Sequence, residues 1–278
     1  MKSRIPLEDF WSDVIRKARR GLGLSEEDLA RSSGVSSDAI MALEQGILDW
    51  KQLEKVGAFL GLGTGRLLAL ARGEYHPGDL ELPEGMAMFS TPWNDFEVHS
   101  YLLWDQNRPS PSPAAAFDTG SDASEMIDFL KCRELTLGQI FLTHGHGDHV
   151  FELDRLMEKT KAPAWIGERE EAAGTETFKA GREFSVGSLR IETRSTWGHA
   201  SGGITYVIHG LARPVAIVGD ALFAGSMGGP MVSYEACLST NRKEIFSLPA
   251  DTLLCPGHGP LTTVALERKH NPFFAEGE

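Results

Sequence analysis

The spacing of apolar residues divides the chain into two parts. In residues 7–72 apolar positions recur at helical intervals, connections are short and β-branched runs are absent, which predicts an all-helical segment. Ser25, and Ser36 or Ser37, precede apolar stretches and are typical helix N-caps. We therefore predict five short helices, over VIRKARRGLG, SEEDLARSSG, VSSDAIMALEQG, WKQLEKVGAFLG and TGRLLALA.

Beyond residue 86 the apolar runs become short and suited to strands. QIFLT, GITYVI and PVAIVGD alternate with amphipathic stretches such as VFELDRLMEKT, which predicts an α/β domain with a sheet-rich core. The stretch between the two parts, EYHPGDLELPEG, holds Pro and Gly without periodicity and is typical of a linker. We predict a helical domain at residues 1–73, a linker at 74–85 and an α/β domain at 86–278. Deleting residues 1–73 should then leave the α/β domain functional.

The negative net charge of −12 comes entirely from the second part. Residues 1–73 carry 11 Lys and Arg against 10 Asp and Glu, whereas the remainder carries 16 against 29. Because phosphate binding depends on Lys and Arg, this acidity argues against a nucleic-acid substrate for the larger part. The chain has no apolar run long enough to cross a bilayer, and its amino terminus lacks a secretory core. We expect a cytoplasmic protein without membrane contact.

One short stretch, FLTHGHGDHV at residues 141–150, is unsuited to a packed core. Imidazoles are costly to bury without partners, and closely spaced glycines weaken regular structure. His144 and His146 follow the predicted strand QIFLT at alternate positions, so they share a face in extended backbone. Asp148 and His149 begin the next helix and are expected to point back to the same place. This arrangement favours a metal site.

Three later segments repeat the design of an apolar strand that ends in a possible ligand. His199 follows RIETRSTWG, Asp220 ends PVAIVG, and His258 lies in the glycine-flanked loop after TLLCPG. Functional groups of sheet proteins gather at strand ends, where loops can converge. We expect these three residues to join the FLTHGHGDHV histidines.

The succession HxHxDH, GH, GD and GHG resembles the metallo-β-lactamase superfamily over nearly all of residues 86–278. The closing segment PGHGPLTTVALERKHNPFF is similar to that of the short glyoxalase II-like hydrolases. The resemblance implies an α/β fold, an αββα sandwich, with a binuclear site. One ion would be held by His144, His146 and His199, the other by Asp148, His149 and His258, and Asp220 would bridge them with a water or hydroxide.

The resemblance implies two divalent transition-metal ions, and the imidazole and carboxylate donors suit zinc first, with iron or manganese as alternatives. Two cations roughly 3.5–4 Å apart lower the pKa of a shared water and polarise a substrate oxygen. Asp148 and Asp220 are thereby the candidate catalytic residues. Asp118, in FDTG, is expected to order the loop near the metals.

The resemblance implies hydrolysis of a thioester, or of a related ester or lactone. Gly229 in GDALFAGSMGG stands where glyoxalase II-like sequences usually have a basic residue that helps to hold glutathione, so the thiol part of the substrate stays open. Two alternatives remain: an iron-dependent sulfur dioxygenase with one metal, and a DNA-binding regulator whose metal domain senses a metabolite. The full second ligand set ending at His258 favours a hydrolase over a dioxygenase.

The helical part resembles the helix-turn-helix domain of the Cro/cI repressor family, through Leu29-Ala30, Gly34-Val35, Ile40 and Leu43. That resemblance implies DNA as a possible partner, although the second helix of the motif carries Asp38 and Glu44 and no basic residue. Packing or homodimer formation is the other role that we predict for it. The candidate DNA contacts are Arg16, Lys17, Arg19, Arg20, Ser36, Ser37 and Gln45.

Overall fold

The computed structural model describes residues 4–275, and the first part of this range is helical as predicted. The helices are α1 (Trp11–Gly21), α2 (Glu26–Ser33), α3 (Ser37–Glu44), α4 (Trp50–Phe59) and α5 (Thr64–Ala71). The Ser25 hydroxyl caps α2 by accepting from Asp28 N at 3.0 Å, and Gly34 ends that helix with a left-handed φ of 66°. Local sequence signals therefore set both ends of α2.

The second part contains two six-stranded sheets, each built from consecutive strands. The first contains β1 (Met86–Trp93), β2 (Phe96–Trp104), β3 (Ser112–Phe117), β4 (Leu135–Phe141), β5 (Ala164–Gly167) and β6 (Thr175–Phe178), adjacent in that order. The second contains β7 (Glu183–Val186), β8 (Leu189–Ser195), β9 (Ile204–His209), β10 (Val215–Gly219), β11 (Leu253–Pro256) and β12 (Thr262–Thr263). Strands β3 to β6 run parallel, as do β10 and β11, and the other pairs are antiparallel.

Alternation along the strands packs the two sheets face to face. Phe117 and Ile217 point into the core between the sheets, whereas Ala116 and Val218 point outward. The remaining helices are α6 (Ser124–Cys132), α7 (Gly147–Val150), α8 (Leu153–Thr160), α9 (Tyr234–Thr240) and α10 (Val264–His270). Since helices cover both outer faces, the predicted αββα sandwich is confirmed. None of the helices within residues 4–275 is long and apolar enough to cross a membrane.

The five amino-terminal helices form part of the outer layer on the second sheet. Val14 and Ile15 of α1 belong to the same buried cluster as Val218 of β10 and Leu254 of β11. Gly21, at the end of α1, lies so close to α9 that a Cβ there would be 2.5 Å from the Tyr234 ring. Because the two parts share this core, we no longer expect the α/β part to function without residues 1–73.

The predicted linker at residues 74–85 contains no helix or strand, but it is anchored. Tyr75 is buried, stacks on His270 with ring centroids 4.7 Å apart, and donates a hydrogen bond from its hydroxyl to Glu267 Oε1 at 2.5 Å. Glu267 is fully buried and also accepts from Gly225 N and Asn271 Nδ2, both at 2.9 Å. The connection is therefore packed into the second part of the chain.

Candidate metal centre

The loop after β4 brings the first group of histidines together. His144 Nε2 and His199 Nε2 each lie 3.0 Å from His146 Nδ1. His199 is carried by the loop that follows β8. Three ring nitrogens so close together, in a buried or half-buried setting, form one of the groups that could hold a metal ion.

A second group lies on the other side of Asp220. Asp148 Oδ2 lies 3.5 Å from His149 Nε2 and 3.3 Å from His258 Nε2. Asp148 and His149 belong to α7, whereas His258 follows β11. These three donors form another group that could hold an ion.

Asp220, directly after β10, lies between the two groups. Its Oδ2 is 3.4 Å from His199 Nε2, and its Oδ1 is 3.2 Å from His149 Nε2. Its Oδ2 is also 3.4 Å from His258 Nε2. One carboxylate is thus within reach of both groups, and the structure brings together all seven ligands expected from the sequence.

Glycines allow the strand ends to approach this closely. A Cβ on Gly219 would lie 2.5 Å from Thr143 Oγ1, and the residue has a φ of +51°. A Cβ on Gly257 would lie 2.3 Å from Asp220 Oδ1. Side chains at either position would displace the neighbouring loop, so these glycines are required by the geometry of the site.

Hydrogen bonds behind the ligands orient the imidazoles. His149 Nδ1 lies 2.9 Å from Asp118 Oδ2, and Asp118 in turn accepts from Thr143 N at 2.7 Å. The Nδ1 atoms of His199 and His258 lie 2.7 Å from the carbonyl oxygens of Gly229 and Glu97. A proton on each Nδ1 leaves Nε2 with a lone pair directed at the centre, an arrangement typical of metal-ligating histidines.

The charges at the centre suit a cation. Burial opposes the charged form of His149, but the carboxylates of Asp220 and Asp118 outweigh it and raise the pKa to about 10. Burial has the same effect at His258, where Asp220 and Asp148 raise the pKa to about 11. Burial also disfavours ionised Asp220, yet His258 and His149 hold its pKa well below the usual value. Positive charge is needed beside these carboxylates.

Two buried atoms at the centre provide a test of the fit. Within residues 4–275, His149 Nε2 and Asp220 Oδ1 are buried and have no hydrogen-bond partner. Buried polar atoms without partners are rare, and each calls for an explanation such as a bound ion. Their position among imidazole and carboxylate donors fits transition-metal ions.

The candidate DNA contacts on α1 are mostly engaged within the chain. Arg19 is buried and donates from Nε to Glu44 Oε1 at 2.6 Å. Lys17 pairs with Asp9 and donates to Met227 O at 2.8 Å, and Arg16 donates to Glu44 O at 3.0 Å. The other candidates are Arg20, which is exposed, Ser36, which caps α3, Ser37, which begins it, and Gln45, which ends it. Arg16, Lys17 and Arg19 therefore make contacts within the chain, and DNA contact by the seven residues stays a prediction.

Several residues near the centre carry no sequence signal. Glu170 accepts from Gly145 N at 3.1 Å and from Gly202 N at 2.6 Å, which ties the loop of His144 and His146 to the loop of His199. Glu8 packs against the glycine next to His258, since a Cβ on Gly259 would lie 3.0 Å from Glu8 N. Both contacts join segments distant in sequence, so local patterns could not reveal them.

The two sheets and the converging donors define a metalloprotein of the αββα class. A model of the metallo-beta-lactamase superfamily matches residues 93–258, so the chain belongs to the metallo-beta-lactamase superfamily. This confirms the family expected from the motifs. The match begins beyond the helical part, so the helix-turn-helix resemblance of that part stays a prediction.

Similar proteins include metallo-hydrolases. A probable metallo-hydrolase of Streptococcus pyogenes serotype M6 is 30% identical over 202 residues, which cover 63% of this chain and 84% of the relative. Hydroxyacylglutathione hydrolase GloC of Haemophilus influenzae is 28% identical over 208 residues, covering 66% of this chain and 95% of the relative. The crystal structure of the B3 metallo-beta-lactamase BLEG-1 matches with a TM-score of 0.58 and 26% identity, over 68% of this chain and 100% of that one.

Proposed function

We propose that the protein is a binuclear metallo-hydrolase that cleaves a thioester, within a wider class of esters and lactones. The observation that carries the proposal is the position of Asp220 between two three-residue ligand groups. The similarity to a hydroxyacylglutathione hydrolase supports the thioester. Zinc is the metal that we expect, with iron or manganese as alternatives.

Each ligand has a separate role in this proposal. His144, His146 and His199 would hold one ion, Asp148, His149 and His258 would hold the other, and the Asp220 carboxylate lies within reach of both groups. Bound ions of this kind supply Lewis acidity and an activated water. The protein fixes the ligand geometry through Asp118 and the carbonyl oxygens of Gly229 and Glu97.

The proposed substrate needs little assistance from a proton donor at the centre. A thiolate leaves without strong general-acid assistance, whereas an alkoxide needs more help. A cavity of about 300 Å³ lies beside the loop of His199 and is lined in part by Arg169, Lys179 and Trp197. We propose that this cavity holds the thiol part of the substrate. The side chains of Arg169 and Lys179 would then face a carboxylate of that part.

Metal analysis combined with a substrate panel tests the proposal. Purified protein should contain close to two transition-metal ions per chain and hydrolyse thioesters faster than matched oxygen esters. A protein with one iron per chain that consumes O₂ and hydrolyses no thioester, ester or lactone would contradict the proposal and favour the dioxygenase.

For the helical part we propose structural support of the hydrolase, with DNA binding and homodimer formation as alternatives. The shared core of α1 with β10 and β11 supports this role, as does the buried pair of Arg19 and Glu44. Fluorescence anisotropy with genomic duplexes and sedimentation of the free protein separate these roles. Nanomolar DNA binding that persists at about 150 mM salt would overturn structural support as the main role.

A further inference from the structure

A second cavity lies where the helical part meets the outer layer of the second sheet. Its volume is about 360 Å³, within the range of roughly 300–1,000 Å³ typical of small-molecule sites. The lining residues come from four segments of the chain. They are Arg66 of α5, Arg242 of the π-helical turn Asn241–Ile245, Phe246 after it, Arg268 of α10 and Phe274 of the 3-10 turn Pro272–Phe274.

Three arginines around one cavity are unusual in a chain with a net charge of −12. Within residues 4–275, neither Arg242 nor Arg268 forms an ion pair, and the nearby Glu244 pairs with Lys243 at 2.8 Å. Arg268 donates to the carbonyl oxygen of Phe246, a contact that leaves its charge uncompensated. The neighbouring charges of Arg242 and Arg268 repel each other unless an anion offsets them.

The geometry of the cavity limits the kind of anion. Arg66 Nη1 donates to Asn271 O at 3.1 Å, which fixes that guanidinium at the helical side. The guanidinium of Arg242 lies 5.6 Å from the centroid of the Phe274 ring, and Phe246 contacts the same ring at 4.8 Å. The cavity therefore presents the forked N–H donors of guanidinium groups beside the rings of Phe246 and Phe274. Such forks match phosphate oxygens, and the rings match an apolar or aromatic group.

The surroundings are cationic as well. Burial, together with the positive charges of Lys269 and Arg66, lowers the pKa of His270, the last residue of α10. None of the seven proposed metal ligands lines this cavity. The site is therefore distinct from the metal centre.

We propose that this cavity binds a small molecule that carries a diphosphate or phosphate group next to an aromatic or apolar group. The ligand would bridge α5 and α10, and so join the helical part to the remainder of the chain. This assignment does not depend on the reaction at the metal centre, because the residues that line the cavity are not among the seven proposed metal ligands.

Titration of the metal-loaded full-length protein with inorganic phosphate, pyrophosphate and adenosine diphosphate tests the assignment, with adenosine as the uncharged control. Adenosine diphosphate should bind most tightly, inorganic phosphate most weakly, and adenosine not at all. Saturation should raise the melting temperature by about 5 °C, because the ligand binds only the folded state.

Variants distinguish a specific site from general attraction. R242Q/R268Q should weaken the binding of adenosine diphosphate at least about tenfold without changing metal content or hydrolysis. R242K/R268K keeps the positive charges but loses the paired N–H donors of the guanidinium groups. Its affinity for adenosine diphosphate should lie between those of R242Q/R268Q and the wild type. Arg133 lies 5.4 Å from the Phe129 ring on another face, so R133Q is the matched control and should bind normally.

Glu276 and Glu278 follow the cavity residue Phe274 in the sequence, so E276Q/E278Q tests competition by the chain's own carboxylates. This variant should bind adenosine diphosphate as tightly as the wild type or more tightly. No binding of pyrophosphate or adenosine diphosphate at about 1 mM would overturn the proposal. Equal losses of affinity for adenosine diphosphate in R133Q and R242Q/R268Q would also overturn it.

Discussion

At the scale of single residues, the four candidate ligands in HGHGDH could be predicted from the sequence because their spacing is local. Alternate histidines after a strand share a face, and glycines beside them permit the turn, so His144 and His146 could be assigned before the fold was known. The contacts of Glu170 and Glu8 near the site could not be predicted in this way. Glu170 joins Gly145 to Gly202 across the site, and no local pattern records such a contact.

Asp220→Ala should remove nearly all hydrolysis while the protein still folds. Both ligand groups lose the carboxylate between them, and even partners behind the ligands typically contribute about 10- to 100-fold. Steady-state kinetics with a thioester, compared with circular dichroism, measures the effect. Asp128→Ala is the control, because Asp128 lies on the surface with Lys131 as its partner. If D220A retains half of the wild-type hydrolytic activity, Asp220 does not have the proposed role.

At the scale of helices and strands, periodicity predicted the five amino-terminal helices and the main strands. Caps such as Ser25 gave boundaries close to those observed. The sequence did not show which faces of the helices meet the sheet, because a helical stripe is the same whether it covers a neighbouring helix or β10. Nor did it show that the connection at Tyr75 is buried. Its Pro and Gly content is typical of an exposed linker, whereas the hydrogen bond to Glu267 holds it in the interior.

Tyr75→Phe should destabilise the protein by about 1–3 kcal/mol, because the buried Glu267 carboxyl group loses one of its hydrogen-bond partners. Urea unfolding of the metal-loaded protein measures this change. Tyr234→Phe is the matched control, since the Tyr234 hydroxyl makes no hydrogen bond within residues 4–275 and its loss should be nearly neutral. Equal stabilities for Y75F and the wild type would show that the Tyr75 contact does not anchor the connection.

At the scale of the whole molecule, the helical part and the α/β part share one hydrophobic cluster. Val14 and Ile15 are almost fully buried and belong to the cluster that also contains Val218 and Leu254. The change in sequence pattern near residue 74 marks a change in secondary structure, and the core continues across it. The boundaries at 73 and 86 remain predictions.

Deletion of residues 1–73 should therefore leave a protein that aggregates or melts well below the full-length chain, because the outer face of β10 and β11 becomes exposed. Solubility and thermal unfolding of the truncated chain measure the effect. Arg20→Gln, on the exposed side of α1, should behave as the wild type. A truncated chain with an unchanged melting temperature and full hydrolysis would contradict the supporting role of the helices.

The number of metal ions per chain tests the account most directly. Elemental analysis of the wild type should give close to two transition-metal ions, one for each ligand group around Asp220. His258→Ala should reduce this to about one and abolish thioester hydrolysis, because the group of Asp148 and His149 loses its third donor. A wild-type protein with a single ion, and an H258A variant that keeps it unchanged, would contradict the binuclear site.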